Sequence, residues 1–184
     1  MTNEEERLIA ECRIAVIGTS DFIDSIKTEL QKSGFNHISI FSEKFTKSDT
    51  DSADIIAEYA GDGQSIIKED MAVPIIYPFD FVDGAGAVVI MPGDDNELRR
   101  KDNMRLWTAE YCAGYCAFWN VEGCDWLMSA LQAIKDGEKD TAALKTAALI
   151  CARIATNIAV GRKVKHFPRF YLYSEKNKPG ATDN

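Results

Sequence analysis

The chain has 184 residues, a net charge of −8, and a hydrophobic share of 46% against 27% charged residues. That is the make-up of a globular domain with one substantial core, and the negative balance argues against general affinity for nucleic acid or anionic membrane. No apolar run approaches the ~20 residues a bilayer-spanning helix needs, and the opening MTNEEERLIAEC lacks the basic-then-apolar character of a secretory leader, so the expected location is the cytoplasm.

Residues 3–11 read as a short acidic helix. CRIAVIG (12–18) is a compact apolar run closed by glycine, the form of a buried parallel strand. Phe22, Ile23, Ile26 and Leu30 then recur at helical spacing, with Asp21 as N-cap and Gly34 as the stop. HISIF (37–41) reads as a second strand, which completes a βαβ unit. Residues 42–54 are polar and loop-like, with a short helix expected around 53–59. VPIIYPF (73–79) is strand-like, and its two prolines place it at an edge or end it early. GAVVIM (86–91) reads as a central strand that Pro92 and Gly93 break, with a helix from about 95 to 112 after it. YCAFWNV (115–121) reads as another strand, followed by helices near 124–135 and 141–160. RFYLYS (169–174) closes the ordered chain as a last strand, and EKNKPGATDN (175–184) has the composition of a disordered tail.

Strands alternating with helices predict an α/β fold, a mainly parallel sheet with helices on both faces, in one domain over 1–174. Ligands of such sheets sit beyond the carboxyl ends of the strands. Gly18, Ser42 and the turn MPGDDN (91–96) are all expected on that rim. There Asp94, Asp95 and Asn96 could hold Mg²⁺ or polarise a carboxylate. After Pro-Gly the same residue types also cap helices; Asp95 and Asn96 fit the cap, and Asp94 fits both roles. Arg99 and Arg100 suit a carboxylate or phosphate clamp, or simply a solvent-facing helix surface.

The five cysteines are an odd number without the C-x-x-C spacing of structural zinc, so they read as free, mostly buried thiols. Cys124, just after the NVEG turn, is the one placed to react at a helix start, with Asp125 working against it. His37 and His166 read as structural. Trp107, Tyr115, Phe118, Trp119 and Trp126 crowd one region, as core or as an apolar patch for a second copy. Between Arg153 and Lys178 seven Lys/Arg face one Glu, so a local basic surface near Arg162, Lys163, Lys165 and Arg169 stands out from the acidic remainder.

Three stretches carry a family resemblance. RIAVIGTSDFIDSIKTELQKSGFNHISIFSE resembles the opening strand, glycine loop, helix and second strand of the ThiF/MoeB/HesA family, adenylate-forming enzymes that include the activators of ubiquitin and of sulfur-carrier proteins. GAVVIMPGDDNELRRKDN resembles that family's strand ending in a Thr-Asp-Asn turn, with Asp94, Arg99 and Asn103 on its Asp, Arg and Asn. ALKTAALICARIATNIAVGRKVKHFPRFYLYS is similar to its last helix, glycine turn and final strand.

The resemblance implies a Rossmann-like three-layer fold, catalytic roles for Asp94 and Arg99, and a nucleotide held by Gly18, Ser20, Asp21, Asn103 and an acid near Ser42 and Glu43. The departures point elsewhere. Ser20, Asp21 and Ile23 replace three loop glycines, and Asp21 would repel a triphosphate by ~1–4 kcal/mol. Ser42 stands where the family has its ribose-binding acid, and Glu43 is one position late. The phosphate-binding Arg segment has no counterpart in KFTKSDTDSADII. The expectation is therefore the shell of an ATP/Mg site: a homodimeric binding or scaffold protein for a small protein or small molecule, without adenylating activity. An active adenylating enzyme and an NAD-type dinucleotide binder are the alternatives.

Overall fold

A computed structural model describes residues 1–42 and 45–174. The opening unit forms as expected. Helix α1 (Asn3–Glu11) starts from a capping box between Thr2 and Glu5, and β1 (Arg13–Ile17), α2 (Ser20–Lys32) and β2 (His37–Phe41) follow. Gly34, at φ 100°, takes the left-handed turn after α2 that glycine permits at little cost. The N-cap of α2 is Thr19 rather than Asp21, which lies inside the first turn. Glu43 and the 175–184 tail fall outside the described residues.

Beyond that unit the structure first departs from the sequence reading in how residues 55–58, 75–80 and 104–119 fold. After the short α3 (Lys47–Thr50), residues 55–58 form β3 (Ile55–Glu58), not a helix; all four are buried, and β3 lies parallel between β1 and β4. Strand β4 (Ile75–Asp80) is interior despite Pro78. Its pairing with β3 ends at Ala57↔Ile76, so the N–H that proline lacks falls past the last rung. The third departure is α4 (Met104–Trp119), which runs through the stretch expected to be a strand. Its buried residues Met104, Thr108, Ala109, Cys112 and Cys116 keep three-to-four spacing, and Asn120 ends it in the left-handed conformation at φ 52°.

Strand β5 (Ala85–Ile90) folds back on β4 as an antiparallel hairpin closed by the Phe81 N–H donating to the Gly84 carbonyl (2.8 Å), and β6 (Tyr171–Tyr173) pairs antiparallel with β5. The sheet order is β2-β1-β3-β4-β5-β6, parallel from β2 through β4 and antiparallel beyond. Gly84 and Gly86 let β6 approach: a Cβ on Gly84 would stand 2.4 Å from the Tyr173 carbonyl oxygen and 2.7 Å from the Trp126 ring.

Strand side chains alternate between two buried clusters. Ala15, Ile17, Ile56, Ile75, Tyr77, Phe79 and Val88 pack with α4 and with α5 (Trp126–Lys135). Ile14, Val16, Ile55, Ala57, Ile76 and Val89 pack with α1, α2 and α6 (Thr141–Ala159). Contrary to expectation, α6 is long and apolar enough to cross a membrane by length and composition, with 19 residues and a mean hydropathy of 1.3. Its small apolar residues serve the interior instead: Ala147, Ala148, Cys151, Ala152 and Ala155 are buried where α6 packs on α2, β4 and β5.

Candidate functional site

At the carboxyl end of β1, Gly18 is half-buried and packs against an aromatic pair of the core. Phe22 and Tyr59 stack there with ring centroids 4.7 Å apart. A Cβ on Gly18 would lie 3.1 Å from Phe22 Cδ1 and 3.2 Å from Tyr59 Cβ, so a side chain here would press on that pair. Ser20, Asp21 and Ser42 are exposed around this end, and the cavities described below and around Asp94 are lined by other residues.

Tyr59 is locked from behind. Its hydroxyl donates to Asp80 Oδ1 at 2.6 Å, and the fully buried Arg105 grips the same acid, Nη2 to Oδ2 at 3.0 Å. Arg105 also donates from Nε to the Asp80 carbonyl (2.6 Å), from Nη1 to Asp62 (3.1 Å) and from Nη2 to the Glu138 carbonyl (2.9 Å). Burial pushes the Asp80 carboxyl above its ordinary range, while the Tyr59 hydrogen bond and Arg105 pull it back. Every polar group of the Arg105 side chain thus has a protein partner, and the guanidinium ties β4, the loop after β3 and the turn before α6 together instead of facing a ligand.

Asp94 lies at the other end of the sheet. Because β5 runs antiparallel, with Ile90 opposite Ile75 and Ala85 opposite Asp80, the MPGDDN turn emerges beside the amino end of β4. The expectation that it shares a rim with Gly18 is corrected by this reversal. Asp94 Oδ2 accepts the Met91 N–H at 2.9 Å and bonds His166 Nδ1 at 2.8 Å, so it closes its own turn and anchors the segment before β6. Arg99 ion-pairs with Asp70, and both, with Asp94, line a cleft of about 300 Å³. Asn96 donates to the Tyr77 hydroxyl (2.9 Å) and accepts the Arg99 N–H (3.4 Å), while the N-cap position of the 3-10 turn Leu98–Arg100 is Glu97. Asp95 approaches Arg100 at 3.8 Å. Asn103 is elsewhere, as the N-cap of α4, accepting the Leu106 N–H at 2.8 Å. The structure brings Asp94 and Arg99 together but separates them from Gly18, Ser20, Asp21, Ser42 and Asn103.

The largest described cavity, about 640 Å³, lies between the end of α4, the turn before α5, and β6. Three features that are far apart in sequence converge there: the aromatic group, the basic stretch and Cys124. Tyr115, Trp126 and Phe170 form apolar walls, and Tyr115 meets Phe170 edge-on at 5.1 Å. Lys165 and Arg169 supply positive charge, and among the described residues neither belongs to an ion pair. Lys165 Nζ sits 5.5 Å over the Tyr171 ring. Cys116 and Cys124 line the same wall; burial, then the hydrogen bond to Cys124, pushes the Cys116 thiol up to about 12, so it holds its proton at neutral pH. Beside the cavity Phe118 and Trp119 are 80% and 63% exposed. Sequence reasoning did not single out Phe170 or Leu172 as lining residues; period-2 alternation in RFYLYS, with Phe170 and Leu172 on one side and Tyr171 on the other, is the signal for them.

Compared with protein-family models and with curated proteins, the chain matches none.

Proposed function

We propose that this chain is a Rossmann-like, three-layer binding or scaffold protein, ThiF-like in its opening βαβ unit, that neither adenylates nor uses a dinucleotide. The observation that carries the reading is the Phe22–Tyr59 stack packed against Gly18, backed by the Asp80–Arg105 lock. A nucleotide cradle needs glycine backbone close to phosphate at a helix N-terminus, and here Ser20, Asp21 and Ile23 stand in place of the loop glycines while Gly18 packs on the aromatic pair. The residues matched to the family's catalytic Asp and Arg have intramolecular partners on the far side of the sheet. The binding surface of this reading is the cavity at β6.

The same reading places the protein in the cytoplasm as a homodimer. The alanine-rich face of α6 is buried, so the surface left for a second copy is Phe118 and Trp119 on α4. Isothermal titration with ATP and Mg²⁺, and separately with NAD, tests the functional claim. The expected result is no binding tighter than ~10 μM, about −7 kcal/mol; a tighter constant for either nucleotide overturns the reading.

A further inference from the structure

The cavity at β6 has a chemistry specific enough to name its ligand class, on the reading that the protein binds rather than catalyses. We propose that it takes a small organic anion with a flat apolar body, Lys165 and Arg169 receiving the anionic head and Tyr115, Trp126, Phe170 and Leu172 enclosing the body.

Three observations lead there. A volume of about 640 Å³ falls within the range of small-molecule sites, which combine apolar walls with a few convergent polar groups. Lys165 and Arg169 outnumber the one carboxylate on the wall, Glu122, and lack ion-pair partners among the described residues; Lys165 Nζ rests 5.5 Å over the Tyr171 ring, a contact it exchanges for the ligand's anionic head, and Arg169 has no such contact. Arginine favours the planar, bidentate geometry of a carboxylate or phosphate head. A protein strand is a poorer occupant, because β6 presents an edge of only three residues. A second copy is poorer too, because the most exposed aromatics, Phe118 and Trp119, lie outside the cavity wall.

The test is an NMR titration of the full chain with 2-naphthoate, 2-naphthyl phosphate, the neutral 2-naphthalenemethanol and inorganic phosphate. The reporters are the Trp126 indole N–H, identified by its loss in Trp126→Phe, and the backbone amides of Cys124 and Leu172. The anionic naphthalenes should shift these signals with one-to-one saturation, bind at least ten-fold tighter than the alcohol, and weaken as salt is raised; their order tells a carboxylate site from a phosphate site. The double variant Lys165→Glu, Arg169→Glu, at two exposed positions, should lose at least ten-fold in affinity for the anions and stay within two-fold for the alcohol. Equal affinity for the anions and the alcohol, shifts confined to other surfaces, or no saturation by any naphthalene at millimolar concentration overturns the proposal. So does release of 2-naphthoate on self-association, because the occupant is then a second copy. Adding ATP and Mg²⁺ to the same sample separates the two claims: tight ATP binding sensed at Gly18–Phe22 refutes the absence of nucleotide use and leaves the anion site standing.

Discussion

Glu58 offers a pH test of the interior beside the nucleotide-like end. It is the last residue of β3 and only 1% exposed. Its carboxyl takes hydrogen bonds from the Ser65 hydroxyl and the Ile66 N–H, both at 2.6 Å, and so pins the loop after β3. Burial, only partly offset by these bonds, raises its pKa from 4.5 to about 7. At about 1.4 kcal/mol per pH unit, the ionised form therefore costs about 3 kcal/mol in the folded protein. The sign follows from the raised value: the stabilising contribution is complete below about pH 4.5 and is lost as pH climbs through about 7. Glu58→Gln keeps the shape and an acceptor for the Ile66 N–H but cannot ionise. Urea unfolding of both proteins at pH 5, 6, 7 and 8 should show wild type falling behind the variant as pH rises, by about 3 kcal/mol at pH 8. Parallel stability curves for the two proteins would refute the claim that an unpaired, buried carboxyl stands at this position.

Other substitutions probe the remaining features. Arg105→Met should cost about 3–5 kcal/mol in urea unfolding, because Asp80 is left buried without its cation, and adding Asp80→Asn should restore part of the loss; a cost under 1 kcal/mol would contradict the lock behind Tyr59. Asp94→Ala should lower stability by about 1–3 kcal/mol through the orphaned Met91 N–H; an unchanged melting temperature would contradict its role in closing that turn. Gly84→Ala should cost about 1–3 kcal/mol by forcing Cβ into the Tyr173 carbonyl and Trp126, seen as loss of the β6 amide signals; unperturbed β6 signals would argue against the close approach.

The opening unit was legible because its signals are local. RIAVI is a buried run, Phe22, Ile26 and Leu30 repeat at helical spacing, and Gly34 supplies the left-handed stop. Strand β3 was not, since four residues buried on both faces show neither period. In α4 the stretch Tyr115–Trp119 is aromatic enough to pass for a strand, and only the buried spacing Ala109–Cys112–Cys116 marks it as helix. The direction of β5 was hidden for a further reason: AGAVVI is buried throughout, so it reads the same parallel or antiparallel. The hairpin turns at Val82 and Asp83, with Val82 at φ 60°, a conformation that valine does not announce in sequence. Taking β5 as parallel moved Asp94 to the wrong end of the sheet. The site contacts were less legible still, because the partners of Asp94 and Arg105 (His166, Asp80, Asp62 and Glu138) are 25 to 72 residues away in sequence.

The most direct question is whether the loop Gly18–Phe22 takes a nucleotide phosphate. An amide-resolved NMR titration with ATP and Mg²⁺, followed at Gly18 through Phe22 and at Tyr59, measures this at the atoms concerned. These signals should stay in place at millimolar ATP. Saturable shifts at Gly18, Thr19 and Ser20 at micromolar ATP, with Tyr59 displaced, would contradict the proposed function.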